Sequence, residues 1–437
     1  MSAISPEATL AQNGQSGKKG TASRPLSLHA YFALIALAAF GIYWFSSYHL
    51  ETTDRTRHFF ADIWFYTELA EGNVFGRLAD NYHLDRIFRF HPTTVVMGAG
   101  WMQIVSPLTP WIEPERLLRA MFALVGAIGV WAALWAFAAV FPRRYAVPLG
   151  IIYASSVSVW FFSSIEESKI VSATLTALYI ATYLHLRTAW TKRGALLSTA
   201  ILLLACLNEI VAGFLIIIPI VDTLVQRGWD WRQARWIALH GLAGPIALAI
   251  LEGIMRGRTG PATTQVEGEG ANHLSMLLFY LRHNEYSFAR LYEFLLNWLF
   301  FSVAAPSTVA SLRPADEDTR YFEPALLNYF SSPVSTALVL LFAVMLAAIV
   351  LPRYRGEGIG GLKGVFAGLL AFALLRGVFF FVLNPSECFL WTSGTTLAHL
   401  LMLSIPFAAS SFPAKPLLLA ATALFLFVIN GRFIIGV

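Results

Sequence analysis

The chain has 437 residues, of which 57% are hydrophobic and 13% are charged, and its formal net charge is +5. Soluble domains contain roughly 45 to 50% apolar and about 25% charged residues, so this composition excludes an ordinary soluble protein and indicates an integral membrane protein. The two cysteines, Cys206 and Cys388, lie far apart and give no support to a disulfide framework or a cysteine-based metal site. Basic residues cluster in short loops beside apolar runs, where they orient a membrane protein, so no nucleic-acid partner is expected.

A polar tail precedes the first apolar run. Residues 1–27 are rich in Ser, Gly, Ala and Lys without apolar periodicity, which predicts a disordered cytoplasmic tail. Residues 29–47 are long enough for a first membrane-spanning helix, because a span needs roughly 17 to 25 residues. A cleavable signal peptide fits less well, since the run starts late and lacks a small-x-small cleavage site.

The apolar segment at 91–108 is short and Pro-rich, so it is either a span or a helix lying in the membrane interface. Later apolar runs predict spans at 117–140, 146–163, 170–186, 195–207, 210–225 and 236–254. If residues 91–108 do not cross, the basic loops between these spans share the side of the basic tail, as the positive-inside rule requires. We therefore predict an interfacial helix inside a large first external loop, residues 48–115.

A second large external loop is predicted at residues 255–334, with amphipathic aromatic helices resting on the outer leaflet. Further spans are predicted at 335–351, 364–383, 395–411 and 416–434. The prediction is an all-α polytopic membrane protein, with one transmembrane domain at 28–437, about eleven spans and the C-terminus outside.

Charged residues converge on the external ends of these predicted spans. They are Glu166, Glu167, Lys169, Glu209, Glu252, Arg256, Arg376 and Glu387. Such side chains can simply snorkel to the interface or pair with one another. Arg376 is the most informative, because it lies about two turns below the end of its span and there requires a phosphate or carboxylate partner.

The segment after the first span is polar and charge-rich. Asp62 and Tyr66 are four residues apart, which places them on one face of a short helix. An amphipathic surface helix with its carboxylate in water accounts for this pattern. Arg86, Arg89 and His91 follow, however, and a carboxylate beside several cations suits a reaction on a phosphate-bearing lipid.

Several motifs in this region resemble a known family. ADIWFYTELAEGN at 61–73 resembles the Asp-Glu-x-x-Tyr-x-x-Ile-Ala helix in the first periplasmic loop of the GT-C superfamily, in its protein mannosyltransferase and aminoarabinose transferase branch. His91-Pro92 resembles the His/Lys-Pro-Pro motif that follows, and ERLLRAMFALVGAIGVWAALWAF resembles the Arg-Leu-x-x-Ala-Leu span. VPLGIIYASSVSVWFFSSIEESKIVSATLTALYIATYLHLR resembles the next two spans with their acidic turn. The resemblance covers roughly residues 30–230.

The resemblance implies an inverting glycosyltransferase that moves a sugar from a polyprenyl-phosphate donor to an extracytoplasmic acceptor. Asp62 becomes the catalytic acidic residue, and the adjacent Glu166 and Glu167 offer an alternative base. The residues assigned to the donor phosphate are His91, Arg116, Lys169 and Arg376, and those assigned to the substrate pocket are Tyr66, Arg89, Glu209 and Glu387. The resemblance also implies a multi-pass protein of the bacterial inner membrane with its active site on the periplasmic face.

The chain departs from the family pattern at two positions. Ile63 replaces the second acidic residue and Thr93 replaces the second proline. No cofactor is predicted, and dependence on a divalent metal stays open. A transporter or flippase for a lipid-linked sugar and a catalytically silent membrane scaffold remain alternatives. Sugar and acceptor are unspecified; lipid A, another glycolipid, a polysaccharide or a protein would fit. The aromatic stretch 274–301 is expected to contact acceptor or lipid, or to form an interface belt.

Overall fold

The computed structural model describes most of the predicted membrane domain. The described residues are 27–51, 63–187, 190–226, 231–256, 286–305, 312–316, 319–322, 360–383, 388–409 and 414–435, with a few positions between 278 and 284 and residue 385. Apart from a hairpin of β1 (Leu312–Asp316) and β2 (Thr319–Phe322), the regular elements in these ranges are helices.

The helices of the first half include four short ones between the first two long ones. They are α1 (Leu28–Glu51), α2 (Ile63–Thr67), α3 (Val74–Arg77), α4 (Tyr82–Phe90), α5 (Pro92–Val105), α6 (Pro114–Val140), α7 (Arg143–Ser155), α8 (Val157–Ser163), α9 (Ser168–Leu186) and α10 (Lys192–Asn208). Single 3-10 turns at Glu68–Glu71 and Ser106–Leu108 connect members of the short group.

The second half contains seven α-helices in the described residues, together with a 3-10 helix, a π-helix and a 3-10 turn. They are a 3-10 helix (Ile210–Ile216), α11 (Ile217–Gln226), α12 (Trp231–Gly241), α13 (Ala243–Arg256), α14 (Phe288–Leu296), a π-helix (Asn297–Phe301), a 3-10 turn (Gly360–Leu362), α15 (Lys363–Leu383), α16 (Cys388–Ala409) and α17 (Lys415–Ile435).

Five helical segments in the described residues are long and apolar enough to cross a membrane. They are Leu28–Leu50, Pro114–Val140, Ala234–Ile254, Lys363–Leu383 and Lys415–Ile435, and the bent pair formed by α7 and α8 makes a sixth if it counts as one span. A multi-pass membrane protein built from helices, as the composition predicted, is therefore confirmed.

Within the described residues, these five or six candidate spans are fewer than the predicted eleven. Helix α10 has only 17 residues, and the apolar stretch Ile210–Gln226 is of similar length. Helices α9 and α16 occur where spans were predicted, but they carry rows of Ser, Thr and His that reduce their apolar character. The span predicted at 335–351 lies outside the described residues, and so do residues 1–26 of the predicted tail.

The short helices α2 to α5 form the predicted first loop. Helix α5 begins at Pro92, a residue that favours the first helical position because its missing N–H would be unpaired there. Its 14 residues are fewer than the roughly 17 to 25 that a span requires. This length agrees with an interfacial helix rather than a span.

The bend between α7 and α8 is 59° and occurs at Ser156. Broken helices leave unpaired backbone groups, which must find partners in the protein interior. The N–H groups of Val157 and Ser158 donate to the carbonyls of Val303 and Ser302, and the Asn430 amide donates to carbonyls of Ser155 (2.6 Å) and Val303 (2.7 Å). The chain after the π-helix therefore enters the bundle core.

This burial differs from the predicted position of the aromatic stretch on the outer leaflet. Trp298 is 4% exposed and Phe301 is 1% exposed, with the Phe301 ring 4.4 Å from that of Phe389. Only one face, including Phe288 and Tyr292, stays exposed. A single amphipathic segment thus contributes both to the core and to the surface.

Polar groups join the helices at the end of the bundle where α9 ends. Arg187, at the end of α9, donates two hydrogen bonds of 2.9 Å to Asp222, and Tyr183 donates to the same carboxylate. The Arg187 guanidinium also donates to the Gly361 carbonyl at 2.8 Å. These contacts lock α9, α11 and α15 together at one end.

Candidate functional site

A buried ion pair lies at the end of the bundle where α9 begins and α15 ends. Arg376 lies seven residues before Leu383, the last residue of α15, which is about two turns. Its Nη2 donates to both carboxylate oxygens of Glu209 at 2.9 and 2.8 Å. The two side chains are 1% and 5% exposed. Glu209 thus provides the carboxylate partner that Arg376 was predicted to require.

The Arg376 guanidinium is only partly satisfied by this pair. Within the described residues, its Nε and Nη1 are buried and have no hydrogen-bond partner. Gly394 permits the close approach, because a Cβ there would lie 2.6 Å from Nη2. The Phe380 ring lies 4.9 Å from the guanidinium carbon. Buried N–H groups without acceptors are costly, so this position is suited to a further anionic acceptor.

Lys169 adds a second buried cation in the first turn of α9. It is 5% exposed, and its Nζ lies 3.8 Å from the centroid of the Trp391 ring. Trp391 in turn stacks on Phe380 at 4.3 Å and 12°. Lys169 and Arg376 both interact electrostatically with Glu209. Among the described residues, this cluster therefore holds two buried cations near one carboxylate, with one positive charge in excess.

His91 joins the cluster between α4 and α5. Its Nδ1 lies 2.5 Å from the backbone carbonyl of Asn208, and since a carbonyl only accepts, Nδ1 carries the proton. Burial, together with the charge of Lys169, lowers the pKa of His91 from 6.5 to about 3. The imidazole is therefore neutral near pH 7 and its Nε2 is an acceptor. In this state it links the start of α5 to the end of α10.

Asn208 connects three helices beneath the ion pair and was not identified from the sequence. Its Oδ1 accepts from Thr94 at 2.5 Å, and its Nδ2 donates to Ser172 at 2.8 Å and to the Ser168 carbonyl at 3.2 Å. Thr93, one of the two departures from the family pattern, donates to the Leu204 carbonyl at 3.0 Å. The sequence signal that could have identified Asn208 is its position at the end of an apolar run, immediately before Glu209.

The two adjacent acidic residues after α8 have different environments. Glu166 is 1% exposed and accepts a hydrogen bond of 2.6 Å from Arg119 in α6. Burial raises the pKa of Glu166, and the charge of Arg119 offsets part of the rise. The Glu167 carboxylate accepts from the N–H (2.8 Å) and hydroxyl (3.0 Å) of Ser168 and caps the start of α9.

Arg119 is the second residue that sequence reasoning missed. The resemblance pointed to Arg116, one helical turn earlier, but that side chain is 41% exposed and pairs with the exposed Glu113 at 3.2 Å. Its guanidinium also lies 4.8 Å from the Tyr48 ring centre. Arg119 lies about 4.5 Å further along the axis of α6, at a rise of 1.5 Å per residue, and at that level its guanidinium reaches the buried Glu166.

Two predicted pocket residues are buried, and one of them lies beside His91. Tyr66 is 1% exposed, and its ring lies 6.5 Å from that of His91 and 6.3 Å from that of Phe122. Arg89 is 5% exposed and is bound by Asp85 one turn earlier, with 2.9 Å between Nε and Oδ2. Arg89 is thus engaged within its own helix.

Some predicted residues cannot be located. Asp62, Glu387 and the Arg256 side chain lie outside the described residues, and Glu252 is partly buried in α13. Within the described part of the chain, no group of three or more His, Cys, Asp or Glu side chains is close enough to hold a metal ion.

A scan against protein-family models gave no match for this chain. A search of curated proteins likewise gave no similar sequence.

Proposed function

We propose that this chain is a membrane glycosyltransferase that takes a sugar from a polyprenyl-phosphate donor, with the donor phosphate at the Arg376–Lys169 cluster. The observation that carries the proposal is the Arg376 guanidinium, which is buried with two nitrogens lacking a described partner, next to a second buried cation. An uncompensated positive charge in an apolar bundle calls for an anion.

The depth of the cluster favours a lipid headgroup as the source of that anion. Arg376 lies about 10 Å along the helix axis from the end of α15, at a rise of 1.5 Å per residue. A phosphate carried by a membrane lipid can reach this level from the interface. Guanidinium groups bind phosphate oxygens through paired N–H donors, and the lysine supplies a point charge.

The proposed reaction breaks the bond between the anomeric carbon and the phosphate oxygen. A carboxylate accepts the proton of an acceptor hydroxyl, whose oxygen attacks the anomeric carbon from the opposite face. The electron pair of the broken bond leaves with the polyprenyl phosphate, whose charge Arg376 and Lys169 stabilise. Holding both amphiphiles in line at the membrane surface supplies the positional part of the catalysis.

Three carboxylates are candidates for the base. Asp62 is the residue that the resemblance selects. Glu166 has a pKa raised by burial, which suits a proton acceptor, but Arg119 holds it. Glu167 is occupied in part by Ser168. We retain Asp62 as the base and assign Glu166 the alternative role.

Binding of the donor lipid is the first test. Purified protein in detergent is titrated with a polyprenyl phosphate and with the uncharged polyprenol of the same length. We expect the phosphate to bind at least tenfold more tightly, about 1.4 kcal/mol. The double variant Arg376→Met/Glu209→Gln, which removes both partners of the ion pair, should lose this preference. Arg193→Gln, at an exposed position at the start of α10, is the matched control. Equal binding of both lipids by the native protein would refute the phosphate site.

Transfer is the second test. Extracted glycolipids and envelope glycans of a strain lacking the gene are compared by mass spectrometry with those of strains that carry the native gene or Asp62→Asn. We expect one glycan to lose a sugar in the deletion strain and in the variant, with normal expression and membrane insertion of the variant. Activity close to native in Asp62→Asn would transfer the role of base to Glu166.

The same comparison separates transfer from the alternative functions. A transporter predicts accumulation of an intact lipid-linked sugar on one side of the membrane, and a silent scaffold predicts no change dependent on the carboxylates. We place the reaction at the periplasmic face of a bacterial inner membrane, where polyprenyl-phosphate sugars would be consumed.

A further inference from the structure

A groove opens on the side of the bundle between α1 and α17. Its volume is about 560 Å³, which lies within the roughly 300 to 1,000 Å³ typical of ligand sites. Its walls include Gly41 and Phe45 from α1 and Phe427, Gly431 and Arg432 from α17. Both helices are candidate membrane spans, so the groove faces the lipid.

The floor of the groove is apolar and is formed by Trp160. The Trp160 ring stacks on Phe427 at 5.3 Å and 27°, and its Nε1 donates to the Ser46 hydroxyl at 2.9 Å. At Gly431 a Cβ would lie 3.1 Å from the Trp160 ring, whereas at Gly41 it would meet nothing within 4 Å. The space above Gly41 is therefore open.

Arg432 provides the only charge among the residues that line this groove. It lies in the last turn of α17, is exposed, and makes no hydrogen bond or ion pair with the described residues. An arginine at the end of a span extends to the lipid phosphates, because the charge is costly in hydrocarbon. The groove thus pairs an apolar channel with one terminal cation.

We propose that the groove binds one anionic glycerophospholipid, with an acyl chain over Trp160 and the headgroup phosphate on Arg432. The single cation matches a single phosphate of net charge −1. A second copy of the chain is disfavoured, because a two-fold interface on this face would bring like-charged Arg432 side chains together. The site is separate from the Arg376 cluster and does not depend on the proposed transfer reaction.

The test uses delipidated protein in detergent and phosphatidylglycerol, followed by native mass spectrometry. We expect one phosphatidylglycerol per chain, retained at least fivefold more strongly than phosphatidylcholine. Gly41→Leu fills the open space and should reduce phosphatidylglycerol retention at least fivefold, whereas Gly244→Leu, at another glycine with nothing within 4 Å, should leave it unchanged. Arg432→Gln should abolish the preference between the two lipids, and the exposed Arg193→Gln should preserve it.

A photoreactive acyl chain provides a second measurement that does not rely on variants. Labelling by diazirine-bearing phosphatidylglycerol should concentrate in peptides of α1 and α17. Native retention in Gly41→Leu, or labelling spread evenly over all spans, would overturn the site. A dimer that survives delipidation and dissociates in Gly41→Leu would assign the groove to a second copy. An equal loss of polyprenyl-phosphate binding in Gly41→Leu would assign it to the donor lipid.

Discussion

Removing one or both partners of the Arg376–Glu209 pair should affect stability very unequally. Both side chains are nearly inaccessible, and breaking a buried ion pair typically costs about 3 to 5 kcal/mol because a charge is left unpaired. Lys169 acts on the same carboxylate. Among the described residues of this cluster, Glu209→Gln therefore leaves two buried cations without an anion, whereas Arg376→Met leaves one cation with one carboxylate.

The expected order of destabilisation follows from these charges. Glu209→Gln should lose about 3 to 5 kcal/mol of unfolding free energy, and Arg376→Met should lose less. The double variant Arg376→Met/Glu209→Gln should be more stable than Glu209→Gln alone, since it keeps only the charge of Lys169. The coupling free energy in this double-mutant cycle should exceed about 1.4 kcal/mol, a factor of ten in the unfolding equilibrium.

The assay is denaturant unfolding of the purified variants in one detergent at pH 7, with and without a polyprenyl phosphate. Added phosphate lipid should stabilise Glu209→Gln more than the native protein, because it supplies the missing anion, and should stabilise the double variant no more than the native protein, because only Lys169 remains to bind it. Additive losses, or a larger loss for Arg376→Met than for Glu209→Gln, would show that the excess positive charge does not govern this site.

Three further predictions concern the surroundings of the site. Acidification should destabilise the protein through His91, because the pKa of His91 falls from 6.5 to about 3 on folding. The contribution of neutral His91 to the free energy of unfolding is complete above pH 6.5 and is lost as the pH falls toward 3. His91→Gln should therefore flatten this part of the curve of unfolding free energy against pH. In the same unfolding assay, Arg119→Leu should lower the unfolding free energy by about 3 to 5 kcal/mol and Arg116→Leu by less than about 1 kcal/mol. Only Arg119→Leu leaves a buried acid unpaired. Similar losses for the two variants would contradict the Arg119–Glu166 pairing. Gly368→Ala should lower the unfolding free energy by about 1 to 3 kcal/mol, because its Cβ would lie 2.7 Å from a carbonyl oxygen of α11. Gly41→Ala should be tolerated, because a Cβ there would meet nothing within 4 Å. A Gly368→Ala variant of native stability would show that α11 and α15 can move apart.

Much of the helical framework could be predicted from composition and apolar runs alone. The spans predicted at 117–140, 364–383 and 416–434 coincide closely with α6, α15 and α17. These runs form helices because every backbone polar group in a bilayer must be paired within its own segment. The prediction that α5 lies in the interface rested on the charges of distant loops, and its length of 14 residues agrees with that prediction. The described residues contain fewer candidate spans than predicted, since the runs at α10 and α11 are short.

The sequence by itself determined that Arg376 needs an anionic partner, because a guanidinium two turns inside a span is costly. Only the tertiary structure decided that this partner is Glu209, 167 residues away, with Lys169 beside it. The choice of Arg119 over Arg116 likewise depends on which turn of α6 lies level with the loop before α9. Local patterns specify which groups cannot remain unpaired, whereas the rotation and contact of whole helices determine which distant groups satisfy them.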